Sequence, residues 1–141
     1  MKNTLSRITL GLGILTMTGA ALAGGMSSKL VVKGSDQDVS GGTVTTDMVM
    51  AESNGWLVVH RTDKAMKPGP VVAYAPLKKG ENHGVAAILT ESVKSGEMLM
   101  LMLHGEEGGM KTGIFEYTLG AKEDGPIRVD GKLVMDMITA K

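Results

Sequence analysis

Short apolar runs separated by turn residues constrain the fold of this chain more than any other feature. Runs such as Trp56–Arg61, Met98–His104 and Gly113–Leu119 recur along the sequence, with glycine, proline, asparagine or aspartate between them. We predict a strand for each of these runs and for the alternating segment Thr43–Ala51. Asn54-Gly55 and Asp130-Gly131 are dipeptides typical of tight hairpin turns. No stretch has the periodicity of an amphipathic helix. These features predict an all-β fold, an immunoglobulin-like Greek-key sandwich of about seven to eight strands over residues 41–141.

The first 23 residues have the three-part pattern of a secretory signal peptide. Lys2 and Arg7 precede an uncharged stretch, residues 8–23, that ends in Ala-Leu-Ala. A membrane span is the alternative, but the stretch is shorter than the roughly 18 residues a span needs. We therefore expect cleavage after Ala23, no later membrane span, and a periplasmic or extracellular domain. Residues 24–40 are expected to form a flexible lead-in with a first strand.

Composition excludes several classes of function. Two of the fifteen basic residues lie in the predicted signal peptide, which has none of the fifteen acidic ones. The remaining chain is therefore weakly acidic, unlike proteins that bind nucleic acid or anionic membranes. There is no cysteine, so disulfides and thiolate metal ligands are excluded. No Gly-x-Ser-x-Gly or His-Glu-x-x-His motif occurs, and we expect a protein that is not an enzyme.

Methionines lie two residues apart in three of the predicted strands. The rows are Met48 and Met50; Met98, Met100 and Met102; and Met135 and Met137. Side chains two apart on a strand share a face, so each row projects its thioethers in one direction. Three interpretations stay open: filling of an aromatic-poor core, a Cu(I) site of soft sulfur ligands, and an adaptable surface for a protein partner. Asp136 points away from its two methionine neighbours and predicts that they face the core.

Two histidines end predicted strands. His104 follows Met98, Met100 and Met102 on the same strand face, and these four residues are the candidate Cu(I) ligands. His60 ends another strand. If the two strands run in opposite directions, His60 and His104 lie at opposite poles of the domain, so we do not expect them to share a site.

Several short motifs resemble an uncharacterised exported β-sandwich domain of surface proteins, found notably in salt-loving archaea and in some bacteria. The motifs are Gly55–His60, Pro68–Val72, Leu77–Val85, Met102–His104 and Gly113–Tyr117. The resemblance covers residues 43–139 and implies an extracytoplasmic sandwich with no established activity. His60 and His104 fall on recurrent positions of the pattern. Of the methionine rows only Met102 fits it, so a copper function would be particular to this chain.

Together these observations predict an exported, non-enzymatic β-sandwich domain that acts as a binding or structural module. The alternative is a periplasmic Cu(I)-binding protein that uses Met98, Met100, Met102 and His104. No cofactor other than copper is expected. A protein partner fits the sequence, which identifies neither that partner nor an oligomeric state.

Overall fold

A computed structural model of the chain describes residues 29–141, which form eleven β-strands and no helix. The all-β prediction is confirmed for this range. None of the described residues belongs to a helix capable of crossing a membrane. The predicted signal peptide lies outside the described residues. The strands are β1 Val31–Lys33, β2 Thr43–Thr45, β3 Met48–Ala51, β4 Gly55–Thr62, β5 Val71–Leu77, β6 Gly80–His83, β7 Ala86–Ile88, β8 Met98–Gly105, β9 Arg128–Val129, β10 Lys132–Leu133 and β11 Met135–Thr139.

A four-stranded antiparallel sheet in the order β11-β8-β4-β5 is the centre of the domain. Its two longest strands, β4 and β8, pair along their whole length, from Gly55 opposite Gly105 to Thr62 opposite Met98. Gly55 explains part of this close pairing, because a Cβ atom at that position would collide with the His104 carbonyl oxygen. This glycine therefore serves strand packing, since β3 and β4 belong to different sheets and form no hairpin.

Two small sheets, β1-β3-β6 and β2-β7, cover one face of the central sheet. The predicted strand over residues 43–51 is divided between them. Thr46 donates its backbone N–H to Val85, whereas Asp47 donates to Lys33, so the chain changes sheets between these two residues. Such divisions explain why there are more strands than the predicted seven to eight.

The main hydrophobic core lies between the central sheet and these smaller sheets. The central strands contribute alternate aliphatic side chains to it, and the covering sheets contribute small β-branched ones. Its fully buried members include Leu57, Val59, Leu99, Leu101, Val44 and Val49. Val134 and Ile138 extend the core along β11. Alternation along each central strand leaves a second set of side chains on the opposite face.

The opposite face of the central sheet is covered by residues 106–125, which we call the covering segment. It contains no strand, although residues 113–119 were predicted to form one. Hydrogen bonds from Gly105 to Gly125 and from Asp124 to Glu107 close its base. Its aromatic side chains pack onto the sheet instead of its backbone pairing with a neighbouring strand.

Candidate metal centre

The covered face of the central sheet is rich in imidazole and thioether groups. We call it the histidine–methionine face, and its members are Trp56, Val58 and His60 on β4, Met100, Met102 and His104 on β8, and Met135 and Met137 on β11. Trp56 and the two β11 methionines apart, these side chains are essentially inaccessible to solvent. They nevertheless lie outside the main hydrophobic core. The domain therefore has a second interior of different chemistry.

His60 and His104 meet within this interior. Their Nε2 atoms are 3.4 Å apart, the ring centroids are 5.5 Å apart, and both side chains are fully buried. The strands are antiparallel, but the expectation that these histidines lie at opposite poles is wrong. His60 lies inside β4 rather than at its end, because Arg61 and Thr62 continue the strand. The two rings incline toward each other along the diagonal of the β4–β8 ladder.

A β-bulge contributes to this arrangement. The register between β4 and β5 shifts by one residue between Val59 and His60. Bulges increase the local twist of a sheet and redirect side chains, and they occur often beside functional sites. A stronger twist shortens one diagonal across paired strands. Register effects of this kind have no signal in the sequence of a single strand.

The hydrogen bonds of the two rings determine their tautomers. Nδ1 of His60 is 2.7 Å from the Gly69 carbonyl oxygen, and Nδ1 of His104 is 2.6 Å from the Asp124 carbonyl oxygen. A carbonyl oxygen can only accept, so we assign the proton to Nδ1 in both rings. In the neutral rings both Nε2 atoms are then unprotonated acceptors. Two lone pairs face each other across 3.4 Å with no donor between them.

Both carbonyl acceptors are held in defined positions. Gly69 donates its N–H to the Arg61 carbonyl at 2.7 Å, and a Cβ atom on Gly69 would lie only 2.7 Å from that same oxygen. Asp124 is buried and has a φ of 45°. Its N–H donates to Glu107, and its carboxylate accepts the N–H of Glu116 at 2.8 Å. The two imidazoles are therefore fixed from behind, as metal-binding histidines commonly are.

Burial keeps both rings neutral. It lowers the pKa of His104 to about 4, against the opposing effect of the hydrogen bond to Asp124, and the His60 ring adds to the lowering. Burial also lowers the pKa of His60, and the hydrogen bond to Gly69 partly offsets this. Both shifts favour the neutral form of each ring at neutral pH.

The separation of the Nε2 atoms suits a metal ion. Two histidine nitrogens at about 2.0–2.1 Å from one ion lie about 3.3–3.4 Å apart when the angle between them is tetrahedral. The observed distance is 3.4 Å. A linear arrangement would need about 4 Å by the same bond length. The pair could thus supply two ligands of a three- or four-coordinate ion.

Aromatic side chains close the site. Tyr117 of the covering segment packs edge-on against His104, with centroids 4.6 Å apart, and against His60 at 5.9 Å. Phe115 stacks on Tyr74 at 4.3 Å and contacts Trp56 at 5.5 Å. These rings keep water away from the imidazoles. That these aromatic side chains pack together beside the histidines was not predicted, since the sequence analysis noted only that the core is poor in aromatic residues.

The four candidate ligands of the sequence analysis are distributed along β8. Met100 and Met102 are buried on the histidine–methionine face, with Met100 directly opposite His60. Met98 is half-buried at the start of the strand and lies opposite Thr62 and Thr139. It is six residues from His104, about 20 Å along an extended strand. The structure thus brings His104 to His60 rather than to Met98. The only sequence signal for His60 was that it falls on a recurrent position of the exported β-sandwich domain that this chain resembles.

The methionines of β11 share the face of the histidines. Met135 lies opposite Met102 and Met137 lies opposite Met100, and both are half-buried. The expectation that they face the main core is wrong. Asp136 lies on the opposite face of β11, the face toward the main core. Its carboxylate accepts the Gly34 N–H there at 3.0 Å. Within residues 29–141, no three histidine or acidic side chains are grouped to hold a metal ion.

Comparison with known proteins gives a family but no activity. No curated protein matches the chain, and no solved structure does. A family model described as a domain of unknown function (DUF7282) matches residues 31–141, which includes every described strand. His60, His104 and both carbonyl groups that orient them lie within the matched range. The chain therefore belongs to the family described as domain of unknown function DUF7282.

Proposed function

We propose that this domain is a non-enzymatic binding module whose ligand is Cu(I), coordinated by Nε2 of His60 and Nε2 of His104. The observation that carries the proposal is the pair of Nε2 atoms that face each other at 3.4 Å in a buried site, while each Nδ1 lies within hydrogen-bond distance of a carbonyl oxygen. Buried acceptors normally have a donor, and an acceptor left without one costs about 1–3 kcal/mol. A cation between the rings satisfies both lone pairs at once.

Ordinary core packing explains this pair less well. An apolar residue at either position would fill the space without placing two lone pairs together. Instead each ring donates Nδ1–H to a fixed carbonyl group, which turns Nε2 toward the other ring. A backbone carbonyl behind a ligating imidazole is the usual outer-shell arrangement of a metal-bound histidine.

The surroundings favour Cu(I) over a divalent ion. The histidines are neutral, and thioethers, which are soft ligands that select Cu(I), lie on the same face, with Met100 directly opposite His60. Such a ligand set contributes no negative charge, so a divalent ion would leave two uncompensated charges in a buried site. Burying uncompensated charge is strongly unfavourable, and a monovalent ion minimises it.

The proposal includes export and the finer fold assignment. Residues 1–23 have the pattern of a signal peptide, so we propose that the domain acts in the periplasm or outside the cell. We also propose an immunoglobulin-like Greek-key arrangement of its strands. An extracytoplasmic site for Cu(I) suits a buffer or carrier of the ion.

An anaerobic titration of the purified protein with Cu(I), against a chromogenic Cu(I) chelator, tests this function. The variants are His60→Asn and His104→Asn, because the asparagine amide can still donate to Gly69 or Asp124 from the position of Nδ1. His83→Asn is the matched control, since His83 is exposed on β6. We expect one tightly bound ion at the pair, with affinity reduced about 100-fold or more in either site variant and unchanged in the control.

Two results would overturn the proposal. One is the absence of Cu(I) binding by the wild-type protein. The other is tight Cu(I) binding whose affinity is unchanged by both asparagine substitutions. A parallel titration with Zn²⁺ tests the choice of ion, and Zn²⁺ binding tighter than Cu(I) binding at the pair would refute the Cu(I) assignment while leaving a metal site.

A further inference from the structure

Four methionines form a compact rectangle beside the histidine pair. Met135 lies opposite Met102, and Met137 lies opposite Met100, as two adjacent cross-strand pairs on one face of the sheet. Directly opposed Cβ atoms are about 5 Å apart, and residues two apart on a strand are about 7 Å apart. Methionine has three flexible side-chain torsions. Three or four of these thioethers can therefore reach one ion.

The methionines are segregated by face in a way that core filling does not require. On β8 the leucines at 99, 101 and 103 enter the main hydrophobic core, and the methionines at 100 and 102 occupy the histidine–methionine face. Ile138 on β11 and Val134 just before it belong to the main core, while Met135 and Met137 occupy the other face. Leucine would supply similar bulk on either face. A function of the sulfur atoms explains why methionine occupies this face of both strands.

Exposure changes across the rectangle. β11 is the edge strand of the central sheet, and its Met135 and Met137 are half-buried. The next strand carries Met100 and Met102, which are fully buried. Met100 in turn lies directly opposite His60. Thioethers therefore extend continuously from the accessible edge of the sheet to the histidine pair.

We infer that Met100, Met102, Met135 and Met137 form a thioether subsite for a soft monovalent cation, Cu(I), through which the ion reaches His60 and His104. The inference rests on the proposed function and adds a second binding site to it. Thioethers are neutral and weaker ligands than imidazole, so the subsite holds the ion less tightly than the pair. The half-buried methionines of β11 make the first contact with the incoming ion.

Titration with Ag(I), an air-stable soft monovalent probe, tests the subsite by NMR of methyl-labelled methionine. We expect two Ag(I) ions per chain and shifts of the methyl signals of the four rectangle residues. Met66 and Met110 are 51% and 90% exposed, and they serve as internal controls for nonspecific contact with thioethers. Their signals should stay unchanged.

A matched pair of double variants completes the experiment. Met135→Leu with Met137→Leu should reduce the stoichiometry from two Ag(I) to one, whereas Met66→Leu with Met110→Leu should leave it at two. Circular dichroism checks that the leucine variants keep their β structure. Since the NMR measurement uses the wild-type protein, an unfolded variant leaves the test intact.

The outcomes separate the subsite from the histidine pair. If Ag(I) binds only at the histidines and the rectangle signals do not shift, the subsite is refuted while the proposed function stands. Equal shifts at Met66 and Met110 would also refute it, because any accessible thioether would then suffice. In the double variant His60→Asn with His104→Asn, we expect the rectangle signals still to shift with one equivalent of Ag(I). If instead two Ag(I) ions still bind both to Met135→Leu with Met137→Leu and to His60→Asn with His104→Asn, both proposals fail.

Discussion

The metal-free domain should lose stability as the pH falls from about 6.5 to about 4. The pKa of His104 is about 4 in the folded domain, below the value of 6.5 expected for the unfolded chain. Between these values the unfolded chain binds the proton and the folded domain does not. Acidification therefore favours unfolding, and the stability present above pH 6.5 is lost progressively through this window. His60, whose pKa is also lowered, acts in the same direction.

The size of the effect follows from the shift. For His104 alone, linkage gives a loss of about 2 kcal/mol between pH 7 and pH 5, and of about 3 kcal/mol over the whole window. The carboxyl groups with lowered pKa values, Asp38 and Glu97, have ordinary values of 3.8 and 4.5, so they titrate mainly below pH 5. The interval from pH 7 to pH 5 therefore isolates the histidines.

Chemical denaturation at several pH values, with chelator present, measures this loss. Trp56 is the only tryptophan and lies directly opposite His104, so its fluorescence reports both unfolding and the state of the pair. The double variant His60→Asn with His104→Asn has no imidazole to protonate at the site, and its stability should be nearly independent of pH in this interval. A wild-type curve as flat as that of the variant would refute the assignment of buried neutral rings, and an equal slope in both proteins would attribute the effect to other groups.

Three further predictions concern the surroundings of the histidine pair. Gly69→Ala places a Cβ atom against the Arg61 carbonyl and shifts the carbonyl group that accepts from His60. We expect a loss of about 1–3 kcal/mol in the free energy of unfolding and weaker Cu(I) binding in the chelator competition. An unchanged affinity would show that the Gly69 carbonyl does not orient His60. Tyr117→Leu removes the ring that packs edge-on against His104. We expect the free energy of unfolding to fall by about 1 kcal/mol and bound Cu(I) to be released faster in stopped-flow exchange. Release at the wild-type rate would contradict a shielding role for Tyr117. Cu(I) at about 100 times its dissociation constant should raise the free energy of unfolding by about 2.7 kcal/mol, and calorimetry should show no such gain in His104→Asn.

Side-chain alternation allowed the faces of the central strands to be predicted from the sequence. The rule places Met100, Met102 and His104 together, and the structure does the same. Asp130-Gly131 was identified as a hairpin for the same local reason. Both residues have positive φ angles, 51° and 76°, and they join the paired strands β9 and β10. In these two cases the information is local, and sequence and structure agree.

The remaining features depend on distant pairing. Asn54-Gly55 resembles a hairpin turn, but Gly55 is required because β8 approaches it closely, and no local pattern reveals that neighbour. The contact between His60 and His104 depends on register, twist and a bulge, none of which a single strand encodes. The segment from Gly113 to Leu119 has the composition of a strand, but its aromatic residues find a better-packed position over the sheet. Tertiary packing prevailed over local propensity there.

The two interiors on either side of β8 have a consequence for how this domain can change. The odd-numbered positions 99, 101 and 103 contribute to the aliphatic core, and the even-numbered positions 100, 102 and 104 contribute to the histidine–methionine face. Adjacent positions therefore line separate interiors. Replacing Leu101 would alter the aliphatic core, while replacing Met102 would alter the histidine–methionine face. Under the proposed Cu(I) function, a lineage could thus retune its metal ligands through the even positions and keep the leucines of the aliphatic core.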